Sequence, residues 1–167
     1  MVVFTPEECE YIKSFYDTES EHSSDEIQKY GDVTIKFSNS STKYTSTQNE
    51  ELIKFLESKL NQYGVKSIPL VKFMRYQKGD KLARHTDFSK YGVDIIYKTY
   101  LVQLSDSNDY EGGDLIVGKE IASREQGSLS IINPTTPHEV TKVISGERLS
   151  MVLFLREANL NIKKTII

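Results

Sequence analysis

The hydrophobic pattern of the chain changes period once, near residue 65. Before that point apolar side chains recur at helical spacing. Thr5-Pro6-Glu7-Glu8 supplies a capping hydroxyl, a proline at the first helical position and a glutamate three residues after the cap, which predicts a helix to about Tyr16. Residues 17–31, DTESEHSSDEIQKYG, read as a polar loop, and a short strand is expected around Val33 to Phe37. From Thr47 to Leu60 the apolar positions 52, 53, 55, 56 and 60 make a second helical stripe, which stops before Gly64.

Beyond residue 65 the period is two. Ile68, Leu70, Lys72, Met74 and Tyr76 alternate with Pro69, Val71, Phe73 and Arg75, which predicts a long strand apolar on both sides. Further strands are expected at about 95–104, 114–118, 128–132, 138–144 and 148–156. The separators SDSNDYEGG, KEIASREQG, NPTTP and SGE are rich in turn residues. Two helices followed by seven or eight strands indicate a mainly β, α+β protein, with N-terminal helices supporting an antiparallel sandwich of jelly-roll type. With no internal repeat or linker, the expectation is one domain over 1–167, helical to about 65 and jelly-roll from about 66 to 156.

Composition narrows the chemistry. A chain of 167 residues, 38% hydrophobic and 27% charged, can bury a full core. The net charge of -3, with scattered lysines and arginines, argues against a nucleic-acid partner held through phosphates. Cys9 is the single cysteine, so no intrachain disulfide can form and any metal must be bound through histidine and carboxylate. The N-terminus lacks the pattern of a signal peptide, and no run approaches 18 apolar residues. A soluble, cytoplasmic protein without membrane contact is therefore expected.

The candidate chemistry begins at His85-Thr86-Asp87. In an extended segment side chains two apart point to one side, so His85 and Asp87 can reach a common point while Thr86 faces away. An H-x-D triplet is a weak motif and needs a third ligand. His22 lies in a polar loop and is expected to be solvated, which leaves His138, at the head of a strand after Pro137. Two histidines and a carboxylate suit the facial site of non-haem Fe(II) oxygenases. They also suit catalytic zinc, although the helical H-E-x-x-H usual for zinc is missing. Arg148 and Ser150 follow on the next strand across SGE, and a hairpin is expected to bring both to the surface carrying His138. An arginine pointing into a sandwich requires an anion, and its planar fork suits a carboxylate.

These residues resemble the 2-oxoglutarate- and Fe(II)-dependent dioxygenases, in the prolyl-4-hydroxylase-like (PKHD-type) branch. The resemblance covers residues 70–156. YQKGDKLARHTD is similar to the family's tyrosine, glycine and H-x-D strand pair, EGGDL to its Gly-Gly turn, and PHEVTKVISGERLS to its distal-histidine segment. The resemblance implies that His85, Asp87 and His138 hold Fe(II), that Arg148 pairs with the distal carboxylate of 2-oxoglutarate with help from Ser150, and that Tyr76 donates its hydroxyl to the same cosubstrate. Thr99, Leu101 and Gln103 share a strand face expected to line the pocket, and Leu115 is either its wall or ordinary core. Several relatives have an aromatic hydroxyl near the position of Gln103, so this chain departs from the pattern there.

The activity implied by the resemblance is hydroxylation of a C–H bond with O2 and 2-oxoglutarate, releasing succinate and CO2 and admitting ascorbate as a reductant. Related halogenases replace the carboxylate with a small residue, so the intact Asp87 favours hydroxylation. The expected substrate is a protein or peptide side chain of prolyl type, with a free amino acid or other small metabolite as the alternative. Tyr30, Tyr44, Tyr91 and Tyr110, in the segments 17–50, 88–94 and 105–113, are expected either to grip a substrate or to coat the rim. A non-catalytic β-sandwich that kept its metal residues and a zinc hydrolase are the competing classes.

Overall fold

A computed structural model describes residues 1–23, 28–30, 33–35, 40–87 and 96–161. Two helices, α1 (Pro6–Lys13) and α2 (Glu50–Leu60), accompany fourteen strands among these residues. The strands are β1 (His22–Ser23), β2 (Gln28–Tyr30), β3 (Val33–Ile35), β4 (Lys43–Thr47), β5 (Val71–Tyr76), β6 (Leu82–His85) and β7 (Lys98–Gln103). They continue with β8 (Tyr110–Gly112), β9 (Leu115–Val117), β10 (Glu120–Ile121), β11 (Leu129–Ile132), β12 (His138–Val140), β13 (Val143–Gly146) and β14 (Arg148–Leu155). A six-stranded sheet runs β1-β4-β5-β14-β7-β11 and a four-stranded sheet β10-β9-β12-β6, while β13 pairs with β8 and β2 with β3. This is the jelly-roll architecture expected from the sequence.

Both helix starts are fixed by caps. Thr5 Oγ1 accepts from the Glu8 amide at 3.1 Å while Glu8 Oε1 accepts from the Thr5 amide at 3.0 Å, closing a capping box. The helix ends at Lys13, and a looser turn carries the chain on to Tyr16 through the Phe15 and Tyr16 amides, which donate to the carbonyls of Ile12 and Lys13. In α2 the Asn49 side chain caps the Leu52 amide. Thr47 is outside this helix because it belongs to β4, paired with Val71.

The six-stranded sheet separates two cores. Val71 and Phe73 of β5, Tyr100 and Val102 of β7, and Met151, Leu153 and Leu155 of β14 face the helices, where they meet Ile12, Leu52 and Leu56. The opposite side chains, Met74 and Tyr76, Leu101, and Val152, pack between the sheets against Leu115, Val140 and Val143. Each fully buried large apolar side chain contributes about 1.5–3 kcal/mol, so this double-sided burial makes the large sheet a rigid platform for whatever its inner face carries.

Three expectations need correction. Strand β5 begins at Val71 rather than Ile68. Pro69 cannot donate to a ladder, and the Ile68 amide instead donates to Glu57 Oε2 at 2.8 Å. Residues 43–47, expected in a polar loop, form β4, whose Thr45 is buried while Tyr44 points to the inner face. The span 138–144 is two strands in different sheets. His138 and Arg148 are therefore not on one hairpin: β12 pairs with β6 and β9, β13 with β8, and β14 with β5 and β7, so the two residues come from opposite layers. Residues 36 and 37 of the expected strand, the 88–94 segment with Tyr91, the Tyr30 side chain and the tail from 162 lie outside the described residues.

Candidate metal and anion site

His85 ends β6 and His138 opens β12, and the two are cross-strand partners. Their ring centroids are 4.4 Å apart. Asp87, just past the end of β6, lies between them, with Oδ1 3.4 Å from His85 Nε2 and Oδ2 3.4 Å from His138 Nε2. One ligand atom from each of the three lies within 4.8 Å of the others. The side chains of His138 and Asp87 are nearly enclosed, whereas about a quarter of the His85 side chain is exposed, which leaves the cluster one open side. Thr86 is exposed and takes no part, as the alternation of an extended segment requires.

Hydrogen bonds prepare the ring nitrogens for a cation. Each Nδ1 faces a carbonyl oxygen, Ala83 O at 2.7 Å for His85 and Thr136 O at 3.0 Å for His138. A carbonyl only accepts, so Nδ1 carries the proton and each Nε2 presents a lone pair. Two imidazole lone pairs then face one point together with the carboxylate. Burial opposes the charge on Asp87, but the His138 and His85 rings, in the form that also carries an Nε2 proton, and the Thr99 hydroxyl, donating to Oδ2 at 2.7 Å, hold its carboxyl below the usual range. Burial likewise opposes a charge on His138, yet the neighbouring Asp87 raises its pKa overall.

The anion half of the site is on the six-stranded sheet. Arg148 is 2% exposed, one of the largest buried side chains, and makes no ion pair with a described residue. Its guanidinium lies 5.1 Å over the Tyr76 ring and donates to Ser150 Oγ at 3.4 Å, while its Nε has no hydrogen-bond partner among the described residues. A buried guanidinium left this way is costly unless an anion reaches it. Arg148 lines a small cavity with Leu101, Gln103, Tyr110, Gly113 and Leu115. A bidentate carboxylate fits that setting, and a facial set of two imidazoles and one carboxylate fits Fe(II), so the residues present match both.

The expected residues divide as follows. Arg148, Gln103 and Leu115 line the cavity together, with Ser150 behind them as the partner of Arg148, and Leu115 is both wall and core. Thr99 is at the metal end, on Asp87. The Tyr76 hydroxyl points to Met74 Sδ, 3.9 Å away, and hydrogen-bonds with Thr42, while its ring supports Arg148; burial pushes its pKa up to about 12. His22 is exposed beside Tyr44 and outside the cluster.

Tyr110 was missed as a pocket residue. It is buried, not at the rim, and its hydroxyl accepts from Gln103 Nε2 at 2.7 Å, so an aromatic hydroxyl does stand beside the position where the sequence lacked one. Its place depends on the pairing of β8 with β13, which no local pattern announces.

A jelly roll carrying a two-histidine, one-carboxylate cluster that could hold a metal, together with a buried arginine lining a small cavity, is the arrangement a facial-triad oxygenase would need. The chain belongs to the 2OG-Fe(II) oxygenase superfamily, whose family model matches residues 71–156. Membership brings Fe(II), 2-oxoglutarate and O2 as the family's metal and cosubstrates. A PKHD-type hydroxylase of Shewanella oneidensis is 37% identical over 92 residues, which is 50% of this chain and 41% of that protein. The match thus spans about four tenths of that relative's length. The crystal structure of a Pseudomonas putida prolyl-4-hydroxylase shares the fold with a TM-score of 0.63 and 17% identity, over 94% of this chain and 91% of that one. A Trichoplax adhaerens prolyl hydroxylase, solved in complex with a hypoxia inducible factor oxygen degradation domain peptide fragment, gives a TM-score of 0.53 and 17% identity over 75% of this chain and 65% of that one. No helix among the described residues is long and apolar enough to cross a membrane.

Proposed function

We propose that this chain is a 2-oxoglutarate-dependent Fe(II) hydroxylase. His85, Asp87 and His138 would hold the iron, and Arg148 with Ser150 would take the distal carboxylate of 2-oxoglutarate. The observation that carries this reading is the pairing of a cation-ready triad with a buried arginine whose Nε has no hydrogen-bond partner among the described residues. With iron, 2-oxoglutarate and O2 bound, the centre supplies the oxidising power that decarboxylates 2-oxoglutarate to succinate and CO2 and hydroxylates a substrate C–H bond.

The protein's own share is positioning. The Ala83 and Thr136 carbonyls fix the tautomer and tilt of the two imidazoles, and Thr99 fixes the rotation of Asp87. The Tyr76 ring beneath Arg148 and the Gly113 backbone beside its Cδ leave the fork one direction to point. Gln103 and Tyr110 add polar groups on the cavity wall, and Leu101 and Leu115 exclude water there.

The proposed substrate is a protein or peptide side chain, with proline first among targets. The likeness to prolyl hydroxylases, one of them holding a peptide, supports this choice. A free amino acid or other small metabolite is the competing substrate. The deciding assay measures succinate formation with Fe(II), 2-oxoglutarate and O2 against proline-containing peptides and free amino acids. Absence of succinate with every substrate and in their absence would favour the zinc-hydrolase or non-catalytic sandwich readings and end this one.

A further inference from the structure

The inner face of β5 and β14 carries a second cation that the proposed cosubstrate does not use. Side chains alternate across a strand, so Lys72, Met74 and Tyr76 share one face of β5, and Arg148, Ser150, Val152 and Phe154 share the matching face of β14. Arg148 is opposite Tyr76 and Lys72 is opposite Val152. Lys72 and Arg148 thus mark the two ends of one ladder, four residues apart, or about 13 Å at the usual rise of a strand.

Lys72 stands at the metal end of that ladder. Phe154, whose ring is 5.5 Å from Lys72 Nζ, pairs with Thr99, the residue that holds Asp87. Tyr44 of β4 flanks the ammonium from the other side at 4.5 Å. Among the described residues, Lys72 Nζ makes no hydrogen bond and no ion pair, and its neighbours are rings. Burial lowers its pKa, and the charge of Asp87 is the interaction that works the other way. The ammonium is therefore partly desolvated, within electrostatic reach of the metal cluster and short of an anion. Asp87 cannot supply that anion, because both its oxygens are directed at the histidines and Thr99.

We propose that Lys72 is the substrate-specificity residue of the site. It binds a carboxylate of the molecule to be oxidised, with Tyr44 and Phe154 as the walls of that subsite. This deepens the hydroxylase reading and rests on it. The ladder would then hold two carboxylates at once, that of the cosubstrate on Arg148 and that of the substrate on Lys72, with the triad near the Lys72 end. A carboxylate has two sources, the α-carboxylate of a free amino acid or an acidic side chain within a peptide. Lys72 distinguishes either from its uncharged amide, by roughly tenfold or more for one charge-assisted hydrogen bond at a partly desolvated position.

The test is calorimetric and needs no turnover. Wild type, Lys72→Met and Lys72→Arg are loaded with Zn(II) and 2-oxoglutarate and titrated with matched pairs. One arm uses free amino acids, L-proline among them, against their amides. The other uses N-acetylated, C-amidated proline peptides with Glu beside the proline against the same peptides with Gln. Wild type should bind the acid of at least one pair about tenfold more tightly than its amide, Lys72→Met should lose that preference and Lys72→Arg should keep most of it. The arm in which the preference appears names the source of the carboxylate. A wild-type panel in which no acid outbinds its amide, or a Lys72→Met protein that keeps the preference, overturns the proposal. Binding of 2-oxoglutarate itself to the wild-type metal-loaded protein is the separate check: its absence would sink the hydroxylase reading, whereas its presence with no acid preference would sink only the role of Lys72.

Discussion

Thr99 reaches across a layer boundary to Asp87, which His138 meets from within its own layer. The imidazole comes from the four-stranded sheet and is 3.4 Å from Asp87 Oδ2, and the hydroxyl of Thr99, from the six-stranded sheet, donates to that same oxygen at 2.7 Å. One carboxylate oxygen thereby joins both layers at the metal cluster. Replacing His138 by Ala removes a ligand from a triad with no spare donor among the described residues. Retention of Fe(II) or Co(II) after desalting, measured by elemental analysis, should fall at least about 100-fold in affinity terms, and full retention would show that the cluster is not the metal site.

Thr99→Val tests the positioning role alone. The change conserves shape and removes only the hydroxyl, so Asp87 loses the bond that sets its rotation. Metal affinity should drop by roughly tenfold with the fold intact, because the Thr99 hydroxyl has no other partner among the described residues. Circular dichroism and a Co(II) titration read the two effects separately.

Arg148 should be sensitive even to its conservative replacement. Lysine keeps the charge but loses the planar fork and the face that rests over Tyr76. For Arg148→Lys we expect affinity for 2-oxoglutarate to weaken by roughly ten- to 100-fold, and for Arg148→Met by more, since a carboxylate would then be buried without a partner. Calorimetry with Zn(II)-loaded protein measures both without turnover.

The double glycine of EGGDL is a packing device for that arginine. A Cβ on Gly112, whose φ is 72°, would come within 2.2 Å of the Lys142 carbonyl oxygen, and one on Gly113 would meet Val143 Cγ2 at 2.9 Å and Arg148 Cδ at 3.3 Å. Gly112→Ala should cost about 2–4 kcal/mol in urea unfolding. Gly113→Ala should also weaken 2-oxoglutarate binding, because the side chain it displaces belongs to the anion site.

Cys9 supplies a pH test away from the site. It is fully buried on the inner face of α1, and burial pushes its thiol up to about 11 from the ordinary 9. A raised folded pKa means the folded state holds its proton longer than the unfolded one. Its contribution to stability is complete below pH 9, falls as pH rises and is lost through about 11. Native Cys9 should resist iodoacetamide at pH 8.5 and react rapidly once urea unfolds the chain, with a cysteine-labelling time course as the readout.

Much of this arrangement was legible before folding. The triad and Arg148 could be found because each falls in a segment whose turns and strand period are local signals: Pro137 before His138, the EGG turn, the alternation from Val71 to Tyr76. What escaped depends on which strand pairs with which. KYTST looked like loop because its polar residues include one face against the helical core and another against the site, a burial that only pairing with β5 creates. Tyr110 looked like rim because β8 is three residues long and takes its direction from β13. The error over the His138–Arg148 hairpin has the same origin, since a two-residue break at Thr141 and Lys142 sends the chain to a different partner. Lys72 could have been found, as it shares parity with Tyr76.

The division of the site between two sheets gives it a ruler. On the proposed assignments the metal hangs mainly from the β6–β12 pair and the guanidinium stands on β14, so the interval between them depends on the spacing of the two sheets, near 10 Å between packed layers and filled here by Leu101, Val152, Leu115 and Val140, as well as on the run of β14. The dicarboxylate would then be measured in part by the filling of the core. Trimming Val152 or Leu115 would recalibrate the enzyme's tolerance for longer or shorter diacids while leaving every liganding atom in place.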